Sequence, residues 1–167
     1  MSYLTIPLDS SHDKKSFVCG KQLLDNYLHH QAKQDVKRKL SACFIAIEEK
    51  NKRVKGYYTV SSTLIQRDLL PKEIIKKLPP SYKDLPAILL GRLAVDNHYK
   101  GQRLGELLLT DALKRSFDTS VNNIGSMAVI VNPIDEDAVK FYKKYGFILL
   151  PDSGKMFISM DTVAALF

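Results

Sequence analysis

Leu89-Leu90-Gly91-Arg92-Leu93-Ala94-Val95-Asp96, followed after three residues by Lys100-Gly101-Gln102-Arg103-Leu104-Gly105-Glu106, is the stretch on which the reading of this chain turns. From Ala87 to Val95 the chain is almost continuously apolar and broken only by Gly91-Arg92, the signature of a buried central strand. Leu104, Leu107, Leu108, Ala112 and Leu113 then recur at helical spacing and predict an amphipathic helix over Leu104–Phe117. Between strand and helix lies a short glycine-bearing turn. The first amides of a helix have no intrahelical partner, and the dipole leaves that end partly positive. Glycine lets the backbone turn tightly and approach a ligand closely. Such a turn suits a phosphate or diphosphate, and Lys100 and Arg103 add positive charge. It is no P-loop, because no Gly-Lys-Ser/Thr follows, and it lacks the three-glycine spacing of a dinucleotide fingerprint.

Downstream, Met127–Val131 reads as a short strand. Asp135 is placed to cap a helix over Glu136–Lys144, whose Ala138, Phe141, Tyr142 and Tyr145 fall at helical spacing. Lys143 and Lys144 sit in its last turn, and Gly146 stands where a left-handed C-terminal cap is expected. Phe147–Leu150 and Met156–Met160 read as two closing strands. Upstream, Tyr3–Leu8 is a weakly alternating first strand. Leu23, Leu24, Tyr27, Leu28 and Gln31-Ala32 share one face of a helix over Lys21–Lys33. Ala42–Ile47 and Val54–Ser62 form a hairpin around the charged turn Glu48–Arg53. Pro71, Pro79 and Pro80 bound a segment that holds a short helix at Lys72–Lys77. Strands alternating with helices in the second half imply a mixed α/β sheet.

The bulk numbers bound the function. The 167 residues suffice for one domain with a real core, and residues 1–167 are read as a single domain. A hydrophobic fraction of 45% with 26% charged residues is ordinary for a globular chain and argues against disorder. The net charge of +7 favours polyanionic partners such as a phosphorylated cofactor or RNA, although a basic surface alone also serves solubility. Basic residues cluster at Lys33 with Lys37-Arg38-Lys39, at Lys50 with Lys52-Arg53 and Lys55, and at Lys72 with Lys76-Lys77. The two cysteines, Cys19 and Cys43, have neither redox-motif nor zinc spacing, so no metal is expected. No apolar run reaches the length of a bilayer span, and the N-terminus lacks the layout of a secretory signal. The expected location is the cytoplasm.

The stretch quoted first, together with Ala138-Val139-Lys140-Phe141-Tyr142-Lys143-Lys144-Tyr145-Gly146-Phe147, resembles the GNAT acetyltransferase family. That family's pattern is a strand, an Arg/Gln-x-x-Gly-x-Gly/Ala loop, a helix, a strand and an Ala-x-x-Phe-Tyr-x-x-x-Gly-Phe helix end. Phe17-Val18-Cys19-Gly20, Leu24-Asp25-Asn26-Tyr27-Leu28, Gly56-Tyr57-Tyr58-Thr59-Val60-Ser61, Leu85-Pro86 and Asp111-Ala112-Leu113-Lys114-Arg115 are similar to motifs of its toxin branch, which acetylates aminoacyl-tRNA. The resemblance covers nearly the whole chain. It implies a splayed central sheet flanked by helices, acetyl-CoA as cosubstrate, an aminoacyl-tRNA acceptor, a ribbon-helix-helix antitoxin as partner and, at family level, a homodimer. Two departures stand out. Lys100 replaces the usual Arg or Gln, and Arg103 replaces the loop's middle glycine, which leaves the backbone amides free to bind if the φ of Arg103 is negative. Pro133 is unusual after the fifth strand.

The resemblance also distributes roles. Tyr142 falls on the Phe-Tyr position beside the cofactor sulfur, where a phenol can protonate a departing thiolate; spacing alone fits a packing tyrosine equally. Leu93, Ala94 and Val95 offer backbone groups to pantetheine and the acetyl carbonyl. Lys100, Gly101, Gln102, Arg103, Gly105 and Glu106 line the diphosphate mainly through main-chain amides. Asn132 reaches the pantetheine arm, Phe141 belongs to the cofactor wall, and Tyr145 is core or packs on Phe147. Arg92, a charge inside an apolar run, needs a partner: either a carboxylate or, with Lys37 and Arg38, substrate phosphate. Glu48, Glu49, Asp96 and His98 are the possible general bases, and each fits a solvated surface role as well. A small amine, a protein N-terminus or a lysine stands as the alternative acceptor, and a CoA- or nucleic-acid-binding module without catalysis as the non-enzymatic reading.

Overall fold

A computed structural model describes residues 2–167. Its strands form one mixed sheet in the order β1-β2-β3-β4-β5-β7-β6, and the chain divides into two compact units. The first comprises Met1–Ser61 with Leu90–Arg115, the second Ser62–Leu89 with Ser116–Phe167.

In the first unit, β1 (Ile6–Pro7) pairs antiparallel with β2 (Ala42–Glu48), and β2 with β3 (Arg53–Gln66). The hairpin expected there forms. Its charged turn closes because Lys52 accepts a positive φ of 57° and donates its amide to the Glu48 carbonyl, while Asn51 Oδ1 accepts from the Arg53 amide. The register slips between Ala46 and Ile47, which marks a bulge. The expected helix near Lys21–Lys33 is a three-part element: α1 (Gln22–Asn26), a π-helical turn (Tyr27–Gln31) and α2 (Ala32–Lys37). The buried face keeps Tyr27, Leu28 and Ala32 of the expected stripe but not Leu23, which is 71% exposed. Those three join Phe17, Cys19, Cys43, Ile45, Val54, Tyr57 and Ala94 in one core.

The end of β4 (Asp84–Val95) and the start of α4 (Leu104–Asn122) belong to the same unit. The stripe of α4 is corrected by one position. Leu104, Leu108, Leu109, Ala112 and Leu113 are buried, and Leu107 is half exposed. At Gly56 an added Cβ would lie 2.7 Å from Leu108 Cδ1 and 3.0 Å from the Ala94 carbonyl oxygen, so only glycine lets β3, β4 and α4 approach this closely. A buried polar knot fastens the N-terminal strand. The carboxylate of Asp111 accepts from the Leu4 amide, the Thr5 hydroxyl and the Tyr58 phenol, and the Arg115 guanidinium stacks between the rings of Tyr3 and Phe44 at 3.9 and 3.8 Å.

In the second unit, β5 (Ala128–Val131) and β6 (Ile148–Leu149) both pair antiparallel with β7 (Met156–Ser159). The short α3 (Lys72–Ile75) starts directly after Pro71, as expected. The core gathers Ile65, Leu70, Leu85, Ala87, Ala128, Ile130, Leu150 and Phe157. The helix α5 (Glu136–Lys144) has the bounds its capping residues predict, and α6 (Met160–Ala164) follows β7.

Candidate active site

Leu93, Ala94 and Val95 end β4, with Ala94 buried and its neighbours half-buried. Asp96 follows and is fully buried. Its carboxylate accepts from the Val18 amide at 3.0 Å and the His98 amide at 2.8 Å. His98 Nδ1 lies 3.0 Å away, and Arg53 Nη2 3.4 Å away. Burial opposes ionisation of Asp96, but these hydrogen bonds and the Arg53 charge outweigh it and hold the carboxyl below its ordinary value. A carboxylate so low and so fully engaged is no general base. It is an anchor that fixes where the next loop begins, and its burial differs from the surface role that the sequence allowed.

The loop after it runs through a 3-10 turn, Asn97–Tyr99, into α4. Lys100 Nζ donates to the Cys19 carbonyl at 2.6 Å. This ties the loop to the Phe17–Gly20 segment and leaves the ammonium charge at the helix mouth. Gly101 has φ +81°, with no atom within 4 Å of where a Cβ would stand. Arg103 has φ +63°. This corrects the expectation of a negative φ: arginine adopts the left-handed conformation of the glycine it replaces. The loop keeps a glycine's backbone path, and the guanidinium points outward to within 3.5 Å of Glu106 Oε2. The first helical bond here runs from the Leu107 amide to the Arg103 carbonyl at 3.0 Å. The amides of Leu104, Gly105 and Glu106 therefore belong to the first turn, which has no intrahelical acceptors. Open space over Gly101, free first-turn amides and two cations match what a diphosphate requires.

α5, in the second unit, is set by local chemistry. Asp135 Oδ1 accepts the Ala138 amide at 2.9 Å, Lys143 and Lys144 occupy the last turn, and Gly146 takes φ +96°. Tyr142 is 7% exposed, with the rings of Phe141 and Phe147 at centroid distances of 5.3 and 5.2 Å. Burial pushes its phenol above the ordinary tyrosine value, so it keeps its proton at any physiological pH. Tyr145 packs on Phe141 at 5.1 Å rather than on Phe147, because the pair sits four residues apart on one helix face. Asn132 is exposed just beyond β5.

Arg92 finds an aromatic partner. Its guanidinium carbon lies 3.4 Å from the centroid of the Tyr27 ring, a cation–π stack that offsets part of its desolvation. The Tyr27 hydroxyl donates to Asp35 at 2.9 Å, and burial and that hydrogen bond raise its pKa to about 12. The sequence places Tyr27 on the apolar helix face but does not pair it with Arg92, since nothing local links it to a residue 65 positions away. Lys37 and Arg38 are exposed at the end of α2. Among the described residues no group of three His, Cys, Asp or Glu side chains is placed to hold a metal, and no helix is long and apolar enough to cross a membrane.

The glycine-bearing loop after β4 in the first unit and the Phe-Tyr helix in the second are each features of a coenzyme A-dependent acyltransferase. The model of the acetyltransferase (GNAT) domain matches residues 39–149. The chain belongs to the GNAT acetyltransferase family. It is 31% identical over 144 residues to a tRNA-acetylating toxin of Mycobacterium tuberculosis, covering 86% of this chain and 83% of that protein. Among solved structures, AtaT complexed with acetyl-methionyl-tRNAfMet superposes with a TM-score of 0.89 at 28% identity, covering 99% of each chain. AtaTR bound with acetyl-CoA does so with a TM-score of 0.85 at 27% identity, covering 98% and 96%.

Proposed function

We propose that this chain moves acetyl from acetyl-CoA to the α-amine of an aminoacyl-tRNA, so that the charged tRNA fails in translation. The observation that supports the cofactor half is the loop from Lys100 to Glu106, with positive φ at Gly101 and Arg103 and first-turn amides that have no intrahelical acceptor. The acceptor half is supported by the relatives, one named as a tRNA-acetylating toxin and one captured with acetyl-methionyl-tRNA. Residues 1–167 act as one acetyltransferase domain in this reading, working in the cytoplasm where charged tRNA is found. A ribbon-helix-helix antitoxin would restrain it.

Each residue has a stated task. Acetyl-CoA supplies an activated acetyl thioester, and transfer to the amine forms a C–N bond as the C–S bond breaks. The amides of Gly101 through Glu106, with Lys100 and Arg103, neutralise the diphosphate. Leu93, Ala94 and Val95 present main-chain groups to the pantetheine and the acetyl carbonyl, with Asn132 and Phe141 along the same arm. Tyr142 holds a proton at its phenol oxygen and delivers it to the departing sulfur. The amine's own proton leaves to water, since an aminoacyl ester's amine is less basic than a lysine. Arg92, Lys37 and Arg38 meet substrate phosphate.

The test is a cell-free translation reaction with acetyl-CoA present. Added protein is expected to stop synthesis, fresh charged tRNA to restore it, and mass spectrometry to find N-acetyl-aminoacyl adenosine after nuclease digestion. Full translation alongside active acetyl-CoA turnover would overturn the acceptor assignment and point to a small amine or a protein.

A further inference from the structure

A cavity of about 310 Å³ opens in the first unit between the end of β1 and α2, with no residue of the Lys100–Glu106 loop in its lining. Its polar lining is Ser10, His12, Lys14 and Lys33, with Leu8 and Val36 as apolar walls. The His12 side chain is 4% exposed. Its Nδ1 accepts the Asp9 amide at 3.0 Å, which places the ring proton on Nε2 as a donor. Asp9, also at the cavity, turns its carboxylate to the Ser11 amide and hydroxyl. Lys14 is half-buried. Burial and the neighbouring charge of Lys33 both lower its pKa. Among the described residues no carboxylate forms an ion pair with Lys14 or Lys33. Lys14, Lys33, the His12 ring and Ser10 thus line one space, where the two lysine charges repel; the carboxylate lining it, that of Asp9, lies 3.4 Å from His12 Nδ1 and is engaged by Ser11.

A tetrahedral oxyanion would relieve the repulsion between the lysines. Charge-assisted bonds from lysines suit a phosphate, and no aromatic ring lines the cavity for a base to stack on. Lys37 continues the line one turn further along α2 on the same face as Lys33. We propose that this cavity is a phosphate-binding subsite that takes one backbone phosphate of the RNA acceptor, the strand running on over Lys37. The inference rests on the aminoacyl-tRNA reading for its substrate, but its site is independent of the acetyl-transfer residues.

The test compares wild type with Lys14→Gln/Lys33→Gln and with the charge-retaining Lys14→Arg/Lys33→Arg. Acceptors are charged tRNA and an adenosine aminoacylated on its ribose, which has no phosphate. For the Gln pair, KM for charged tRNA is expected to rise about tenfold while kcat and the KM for acetyl-CoA hold. The slope of log kcat/KM against log salt should become shallower by about 0.7–0.9, the share of one lost phosphate contact. The aminoacyl-adenosine should react alike with all three proteins, and the Arg pair should behave as wild type. Unchanged tRNA KM and salt slope in the Gln pair would overturn the proposal. If wild type acetylated no charged tRNA, the function would be misassigned. Anisotropy of labelled uncharged tRNA would then still judge the subsite, with equal affinity in wild type and the Gln pair counting against it. Titration with inorganic phosphate, followed on the His12 ring by NMR, is the last arm. Saturation below a millimolar with RNA affinity untouched by the Gln pair would mark a free-phosphate site and refute the RNA assignment.

Discussion

Replacing Tyr142 by phenylalanine deletes one oxygen from a ring that is 7% exposed and held between Phe141 and Phe147. The aromatic packing survives, so the cost in stability is that of one hydroxyl, about 1 kcal/mol or less. The chemistry loses much more. Burial keeps the phenol protonated, and a positioned general acid contributes roughly 10²–10⁴ in rate, or about 3–5 kcal/mol at 1.36 kcal/mol per decade. Turnover of Tyr142→Phe at saturating substrates is therefore expected to fall at least about a hundredfold. Acetyl-CoA affinity by calorimetry should stay within a factor of about three if, as proposed, the loop amides and not the phenol hold the cofactor. Tyr145→Phe, altered on the same helix but packed on Phe141, should turn over normally. The pH profile gives a second check. A raised pKa keeps the donor form present to higher pH than an ordinary tyrosine near about 10, so the wild-type rate should show no alkaline decline below that value. A Tyr142→Phe enzyme within threefold of wild type, with the fold intact by thermal melting, would remove the phenol from the mechanism.

Three further perturbations test the scaffold. Gly56→Ala places a Cβ 2.7 Å from Leu108 Cδ1 and 3.0 Å from the Ala94 carbonyl. A loss of about 1–3 kcal/mol is expected by denaturant unfolding, and an unchanged midpoint would show that α4 can yield. Arg103→Gly relieves a left-handed arginine, worth about 1–2 kcal/mol, against about 0.5–1 kcal/mol for the added freedom of glycine when unfolded. Stability should hold or rise slightly with the acetyl-CoA KM within threefold, and a tenfold rise in KM would mean that the side chain, not the amides, does the binding. Asp96→Asn breaks a buried anchor and should cost about 2–4 kcal/mol at pH 7. The folded pKa of Asp96 is depressed, so its contribution is full above the unfolded value near about 4 and fades as pH falls through the folded one. The stability difference between wild type and variant should therefore shrink below about pH 4, and a gap that stayed constant down to pH 2 would show that Asp96 is not ionised in the folded protein.

How much of this was legible beforehand depended on whether the cause was local. α5 was read with its final bounds because its start, its charge bias and its stop are written in adjacent residues: Asp135 caps Ala138, and Gly146 takes the positive φ. The hairpin and the strand before the loop were likewise visible as apolar patterns. Misses came where a distant neighbour decides. Tyr27 and Leu28 lie on the apolar face that was expected and join a core with Phe17 and Tyr57, but no residue within that helix announces the π-turn at Tyr27–Gln31. Leu107 and Leu109 are both leucine, so only packing shows that the second is the buried one. Asp96 looked like a surface acid because its donors, Val18 and Arg53, lie 78 and 43 residues away.

Arg103 shows what the diphosphate loop conserves physically. A family pattern written in residue types asks for glycine there, and an arginine looks like damage. In the proposed reading the ligand meets the backbone, and Arg103 has a left-handed conformation open to glycine, at φ +63° near Gly101 at +81°. The cost of about 1–2 kcal/mol for a non-glycine residue in that region is small against the binding of a doubly charged diphosphate by several amides at a helix N-terminus. The side chain then brings something glycine lacks, a cation at the helix mouth that is partly offset by Glu106 in the first turn. A substitution that breaks the letter of the motif thus leaves its geometry in place and adds positive charge near the ligand. The Arg103→Gly measurement therefore separates two views of this loop: binding by main-chain amides, which the variant keeps, and binding by side-chain charge, which it removes.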